Sequence, residues 1–440
     1  MEAADVIIRA GHILTMNDSL DLYRDGAVAV RDGRVLAVGP EEEIDRLYFS
    51  EKSLGGENAV AFPGLVNAHT HSPMVYFRGL EDDLPLKVWL EEHIWPAENR
   101  WLSPEFVSDA AGLACIEMLK AGITAFGDMY FYGDAIAQTA RKNGMRAVVC
   151  SGILDFPSRT ASSADEYLRN AETFIRDWKD DDLIIPGVAP HAPYTCSPDT
   201  LKRAKELSGK YGVPLHLHLS ETRWEVQEVL TRYGKTPIAL LESIGILDKS
   251  VIAAHCVWPT EEEIGTLART GVGVVHCIES NLKLASGIAP VVQMLAAGCR
   301  VCFGTDGAAS NNDLNILSEM STAAKVHKAV AGDPTVLDAR QALLMATRWG
   351  AETLGIGHLA GSIEKGKSAD IVIASLNRPH MVPLYDIYSH IVYSMHPSDV
   401  STVLVRGRVL MEERRLTSAD EAGIIRKAVE WGRRIRARET

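Results

Sequence analysis

Two pairs of histidines, His69 with His71 and His216 with His218, stand two residues apart in the apolar runs GLVNAHTH and PLHLHLSE. Alternate side chains of a strand share a face, so each pair can aim two imidazoles at one place. His255, His276 and Asp306 each close another apolar run, in VIAAHCV, GVGVVHC and RVCFGTD. A lone buried histidine is most often a core residue with a satisfied hydrogen bond, but nitrogen and carboxylate donors accumulating at strand ends are what a divalent cation needs. If these strands close into one barrel, a metal can take His69, His71, one histidine of the second pair and Asp306, with room left for water. The chemistry would be metal-assisted hydrolysis.

The elements that must bring these residues together follow a regular rhythm. From about Phe62 to Ile363, eight runs (GLVNAHTH, GITAFGDM, RAVVCSGI, IIPGVAPH, PLHLHLSE, VIAAHCV, GVGVVHC, RVCFGTD) alternate with helical patterns. That spacing predicts repeated βα units closing into a barrel, with catalytic groups at the C-terminal strand ends. Before it, VIIR, HILTM, AVAVR and RVLAVG read as short strands, the last two joined by the hairpin signal Asp32-Gly33. The pattern returns in DIVIA from Asp370 and in VLVRG and RVLME around Gly407. The expected fold is therefore α/β: a distorted (β/α)8 barrel of the TIM type over 62–363, and a small β-sandwich domain built from 1–61 and 364–440. SADE, Ser418 to Glu421, reads as a capping box opening a terminal helix through IIRKAVEWGRRI, a surface or subunit-contact element.

Composition narrows the partners. A formal net charge of −13, with no internal stripe of lysine and arginine, opposes nucleic-acid binding. The one basic run, Arg433 to Arg438, falls at the end of the terminal helix, where it suits the dipole. No apolar run reaches the roughly 18 residues of a membrane span, and MEAADVIIRA has no leader pattern. Seven cysteines scattered through apolar segments read as reduced core thiols. The expectation is a cytoplasmic enzyme acting on a small molecule, with no nucleic acid, no membrane, and a homo-oligomer as the candidate assembly.

The motifs PGLVNAHTHSPM, HAPYTCSPDTL, HLHLSET, AHC, SNLKLASG and GTDGAASNN occur in that order and resemble those of the amidohydrolase superfamily. With the DDLPL…W…WPAE segment from Asp82 to Glu98, the resemblance is to the 5′-methylthioadenosine/S-adenosylhomocysteine deaminase family. It implies hydrolytic deamination of 5′-modified adenosines to the inosine derivative and ammonia. It implies that His69, His71, His218 and Asp306 bind one divalent metal, zinc first and iron(II) or manganese(II) next, and that His216 is the neighbour that does not. Binuclear relatives bridge two metals through a carbamylated lysine after the fourth strand; DLIIPGVAPHAPYT contains no lysine. Glu221 would be the proton shuttle, with His255 and Asp306 orienting the attacking oxygen. Glu98 is implied for the ribose hydroxyls and His191 for the purine, while Trp89 and Trp95 are candidates for the 5′ pocket and Arg159 for a homocysteine carboxylate. One departure stands out: relatives carry proline where HCIESN has Ile278.

Two rival functions share parts of this pattern. A guanine- or pterin-type deaminase, or a triazine hydrolase, would use the same ligands without a ribose-reading Glu98. A barrel serving only as a structural partner would have no use for the full ligand set and Glu221.

Overall fold

The computed structural model describes residues 1–417 and 419–437. All eight expected barrel runs are strands: β1 (Leu65–Thr70), β2 (Ile123–Tyr130), β3 (Arg146–Ile153), β4 (Ile184–Pro190), β5 (Leu215–Leu219), β6 (Val251–His255), β7 (Gly273–His276) and β8 (Arg300–Phe303). They pair in parallel, each with its sequence neighbours. Side chains of one parity, including Val148, Ala189, Ile252, Val275 and Cys302, pack into one small cluster; the others, including Val149, Val188, Val251, Val274 and Val301, pack against the helices.

The barrel distorts where β1 meets β8. β1 also loses register with β2 between Asn67 and Thr70. The Asn67 side chain bridges to the segment after β8, donating to Thr305 Oγ1 (2.7 Å) and accepting from Thr305 N–H (3.0 Å), and Asp306 N–H reaches the His69 carbonyl (3.0 Å). A side-chain amide thus stands in for backbone pairing, and it brings the residue after β8 against the histidine end of β1.

The two ends of the chain form one eight-stranded sheet, in the order 415–416, 408–412, 400–405, 371–375, 53–63, 6–14, 22–31, 34–40. VIIR and HILTM, read as two strands, are one strand, Val6–Leu14, with a register irregularity between Ala10 and His12. The Asp32-Gly33 hairpin is present, with φ of 52° and 74°. Arg406-Gly407 repeats it, at 51° and 69°. The sandwich character comes from the two arms of this sheet sharing a core: Ile8, Val28 and Val35 cluster with Ile371, Ile373 and Leu404. The strand Ser53–Pro63 passes through Gly64 alone into β1, and a Cβ on Gly64 would lie 2.0 Å from Thr124 Oγ1. Only glycine fits at that junction.

The terminal helix spans Glu421–Arg436 and is capped by Asp420, whose side chain accepts from Gly423 N–H. Ser418, the first residue of the expected capping box, and Arg438 of the basic run lie outside the described residues. All seven cysteines are buried and free.

Candidate active site

At the C-terminal end of the barrel, His69 from β1, His71 just after it, His218 from β5 and Asp306 after β8 each offer one ligand atom, and these atoms all lie within 4.8 Å of one another. The group is closed from behind, ring by ring. His71 Nδ1 faces the Met129 carbonyl (2.5 Å), His218 Nδ1 the His191 carbonyl (3.0 Å) and His69 Nδ1 the Nε2 of His216 (2.9 Å). A carbonyl only accepts, so His71 and His218 carry protons on Nδ1 and turn their Nε2 atoms to the centre. His216, two residues earlier on β5, supports His69 instead of joining the cluster.

Burial drives the His69 imidazole down to about 4 and those of His218 and His216 well below the usual histidine range. They are neutral at pH 7, the ligand form. Asp306, although burial opposes it, is held well below the carboxylate range by His69 and His71. Ser280 and Ser310 hydroxyls donate to its Oδ2 (2.7 and 3.0 Å), leaving Oδ1 3.3 Å from His69 Nε2 and 3.2 Å from His71 Nε2. His69 Nε2 is buried without a hydrogen-bond partner. An orphaned lone pair beside a carboxylate and two more lone pairs fits a divalent cation.

Glu221 and His255 stand beside this group in the wall of the same cleft. The His255 Nδ1 meets Asn281 Oδ1 (2.9 Å), and its Nε2 lies 3.7 Å from Glu221 Oε2. Ser286 donates to Glu221 Oε1 (3.2 Å), and burial raises the Glu221 carboxyl above its usual range. His255 and Asp306 hold left-handed backbone, with φ of 74° and 61°. Such strain in non-glycine residues at strand ends is characteristic of sites where the fold overrides local preference.

The rest of the cleft is apolar and aromatic, with few polar groups. Glu98 is buried in it, and Tyr130, the last residue of β2, donates to its Oε1 (2.5 Å). Burial pushes the Glu98 carboxyl up to about 7. His191 Nδ1 contacts Thr195 Oγ1 (2.9 Å), and burial lowers its ring to about 3. Trp89 lines the cleft and is anchored by its indole N–H on the Glu81 carbonyl (3.1 Å). Trp95 packs on Phe156, ring centroids 5.4 Å apart. Arg159 is exposed at the rim, its guanidinium donating to the Asn99 carbonyl (3.0 Å).

Residues 60–410 match the amidohydrolase family, and residues 26–48 an imidazolonepropionase-like composite domain of bacteria. A 5-methylthioadenosine/S-adenosylhomocysteine deaminase of Thermodesulfovibrio yellowstonii is 52% identical over 98% of each chain. The chain belongs to the amidohydrolase family and, within it, to the 5-methylthioadenosine/S-adenosylhomocysteine deaminase family. An adenosine deaminase of Xanthomonas campestris, crystallised with bound zinc, superposes on this amidohydrolase with a TM-score of 0.97, at 42% identity over 99% of each chain. An atrazine chlorohydrolase of Arthrobacter aurescens complexed with zinc gives 0.91, at 26% identity over 97% of this amidohydrolase and 100% of that chain.

The site residues implied for the amidohydrolase line or border this one cleft, with Arg159 and Trp95 towards its mouth, whereas His276, which also closes a barrel run, is buried away from it against His327 (Nε2 to Nε2 3.0 Å). The motifs do not single out the supports: Tyr130 behind Glu98, Ser280 and Ser310 behind Asp306, Asn281 behind His255. Each had a signal. Tyr130 closes a barrel strand as the ligands do, and Ser280 and Asn281 stand inside the motif HCIESN. Ile278 is the fully buried first residue of the helix Ile278–Lys283. Proline is favoured at such a first helical position but is not required there, and with Ile278 in it the helix still carries Ser280 and Asn281. Among the described residues no helix is long and apolar enough to cross a membrane.

Proposed function

We propose that this amidohydrolase hydrolyses the 6-amino group of 5′-modified adenosines, 5′-methylthioadenosine and S-adenosylhomocysteine foremost, giving the inosine derivative and ammonia. The observation that carries the reading is the pairing, in one cleft, of a four-ligand group beside Glu221 with a second buried carboxylate, Glu98, fixed by Tyr130. An ionised carboxylate accepts two hydroxyl protons well, and a ribose offers two.

His69, His71, His218 and Asp306 would hold one divalent ion, a donor set that suits zinc, iron(II) or manganese(II), with zinc favoured by the zinc in the Xanthomonas relative. That ion, when bound, lowers the pKa of water from 15.7 towards about 7, making a nucleophile available at neutral pH. Glu221 takes a proton from the attacking water and returns it to the ring nitrogen N1, which makes C6 electrophilic. His255 Nε2, directed into the cleft by Asn281, hydrogen-bonds the attacking oxygen. A second proton goes to the leaving amine, so water and substrate balance against product and ammonia. His191, neutral in its buried setting, offers a hydrogen bond to the purine. Trp89, Trp95 and Phe156 give the 5′ substituent an apolar surface, and Arg159 at the rim meets a carboxylate if the substituent carries one.

We divide the chain into a barrel, 62–363, and a terminal β domain, 1–61 with 364–440, and place the protein in the cytoplasm, free of nucleic acid and membrane, as a homo-oligomer. Ammonia release measured on adenosine, 5′-methylthioadenosine, S-adenosylhomocysteine, guanine and a chlorotriazine, with metal content on the same sample, tests the function. Turnover confined to guanine or the triazine overturns it.

A further inference from the structure

We infer that Glu225 positions the carboxylate of Glu221, holding the backbone from which the proton-carrying side chain departs. The inference rests on the reading of Glu221 as that carrier. TRWE, from Thr222 to Glu225, is a capping-box sequence. Thr222 is indeed the N-cap of the helix Arg223–Tyr233, accepting Glu225 N–H (3.1 Å). In a capping box the carboxylate of the third helical residue folds back onto the N-cap N–H, as Glu263 does on Thr260 (2.7 Å) in the helix Glu261–Thr270. Glu225 reaches past that amide. Its Oε1 accepts Ser220 N–H (2.9 Å) and its Oε2 accepts Glu221 N–H (2.7 Å).

Those two amides lie in the link between β5 and the helix, where Ser220 is forced to φ 51°. A serine in the left-handed region is costly, and the paired carboxylate bonds are what hold it there. Glu225 is 1% exposed, and burial raises its carboxyl to about 7 while the two backbone N–H bonds pull it down. A plain helix cap needs neither that burial nor that reach. Both carboxylate oxygens are spent on fixing the link from which Glu221 enters the cleft beside the metal group.

The test compares Glu225→Gln, Glu225→Asp, Glu263→Gln and Glu221→Gln with the parent enzyme in kcat, KM, metal content and the pH profile of kcat. Glutamine turns an N–H₂ against one of the two backbone N–H groups, and aspartate is one methylene too short to span both. Displacing the carboxylate by about 1 Å should lower kcat roughly 10²-fold while KM stays within about threefold. Metal content should stay at the parent value, and the acid limb of the kcat profile should move. Glu263→Gln removes an equivalent helix cap and should leave kcat unchanged. Parental kcat in Glu225→Gln, or an equal loss in Glu263→Gln, overturns the inference, as does loss of metal along with activity. Should Glu225→Gln not fold, Glu225→Asp decides by the same criteria. Normal turnover in Glu221→Gln would sink the carrier reading itself, whereas a dead Glu221→Gln beside an active Glu225→Gln sinks only the role of Glu225.

Discussion

The Nε2 atoms of His71 and His218 face each other 3.2 Å apart while the opposite nitrogen of each ring is turned onto a main-chain carbonyl, of Met129 and His191 respectively. Although burial opposes it, the Asp306 carboxylate raises the His71 imidazole above its ordinary value; once its Nε2 proton is displaced the two Nε2 lone pairs point at one another, and a cation between them turns that repulsion into binding. Chelation should therefore do more than abolish ammonia release. It should lower the thermal midpoint, because an ion bound only by the folded chain stabilises it by mass action, and zinc should restore both. A midpoint insensitive to chelator and zinc would count against the group as a metal site.

His216 offers a second, milder probe of the same site. It carries no ligand atom in the group but supports His69 Nδ1, and loss of such a support typically weakens metal affinity about 10- to 100-fold. His216→Ala should bind zinc more weakly by competition titration yet regain activity at high zinc. Unchanged affinity would make His216 a core residue only.

Glu221→Gln should keep its metal and lose about 10²- to 10⁴-fold in kcat, the usual range for a positioned acid or base. Glutamine preserves the shape and the Ser286 contact while removing the exchangeable proton. Metal loss in this variant would point instead to a ligand role.

Ribose recognition by Glu98 predicts a pH dependence. Its carboxyl is raised by burial from 4.5 to about 7, so the fold binds that proton more tightly than the unfolded chain does. Keeping Glu98 ionised thus costs stability as pH rises from 4.5 through 7. The acceptor form that two hydroxyls require is lost as pH falls through about 7. The Kd of an inosine-type product should rise about tenfold per pH unit below that point and be flat in Glu98→Gln. Glu98→Ala should weaken nucleosides far more than free purines; equal effects would speak for a substrate without ribose.

Arg146 at the start of β3 and Asp370 before the strand Ile371–Ser375 form a buried pair (3.0 Å), both under 3% exposed. Asp370 also accepts from Ser368 and from Arg406 N–H. Removing Arg146 alone leaves a buried charge, a loss of about 3–5 kcal/mol, read as a lower urea midpoint. The double variant Arg146→Met, Asp370→Leu should recover part of it. If the single change is silent, the pair contributes nothing to joining barrel and terminal sheet.

The barrel is legible because its eight apolar runs each alternate with a helical pattern, and the sheet because Asp32-Gly33 signals a tight turn between strand patterns that return around Gly407. VIIR and HILTM read as separate short strands, with Gly11 between them. In the structure it is an irregularity inside one strand, at a point where a Cβ would lie 2.2 Å from the Glu57 carbonyl oxygen. Sequence spacing alone brought His69 and His71 to one face but left both His216 and His218 open.

The sequence by itself determined which donors exist and at which strand ends they stand, since alternation and βα spacing are local properties of the chain. Tertiary structure decided which nitrogen of each ring is free, that His216 backs His69, that Glu98 is buried against Tyr130 and that Glu225 reaches past its own helix cap. These depend on groups tens to hundreds of residues apart meeting within hydrogen-bond distance, or on the rotamer that burial selects, and a linear pattern encodes neither.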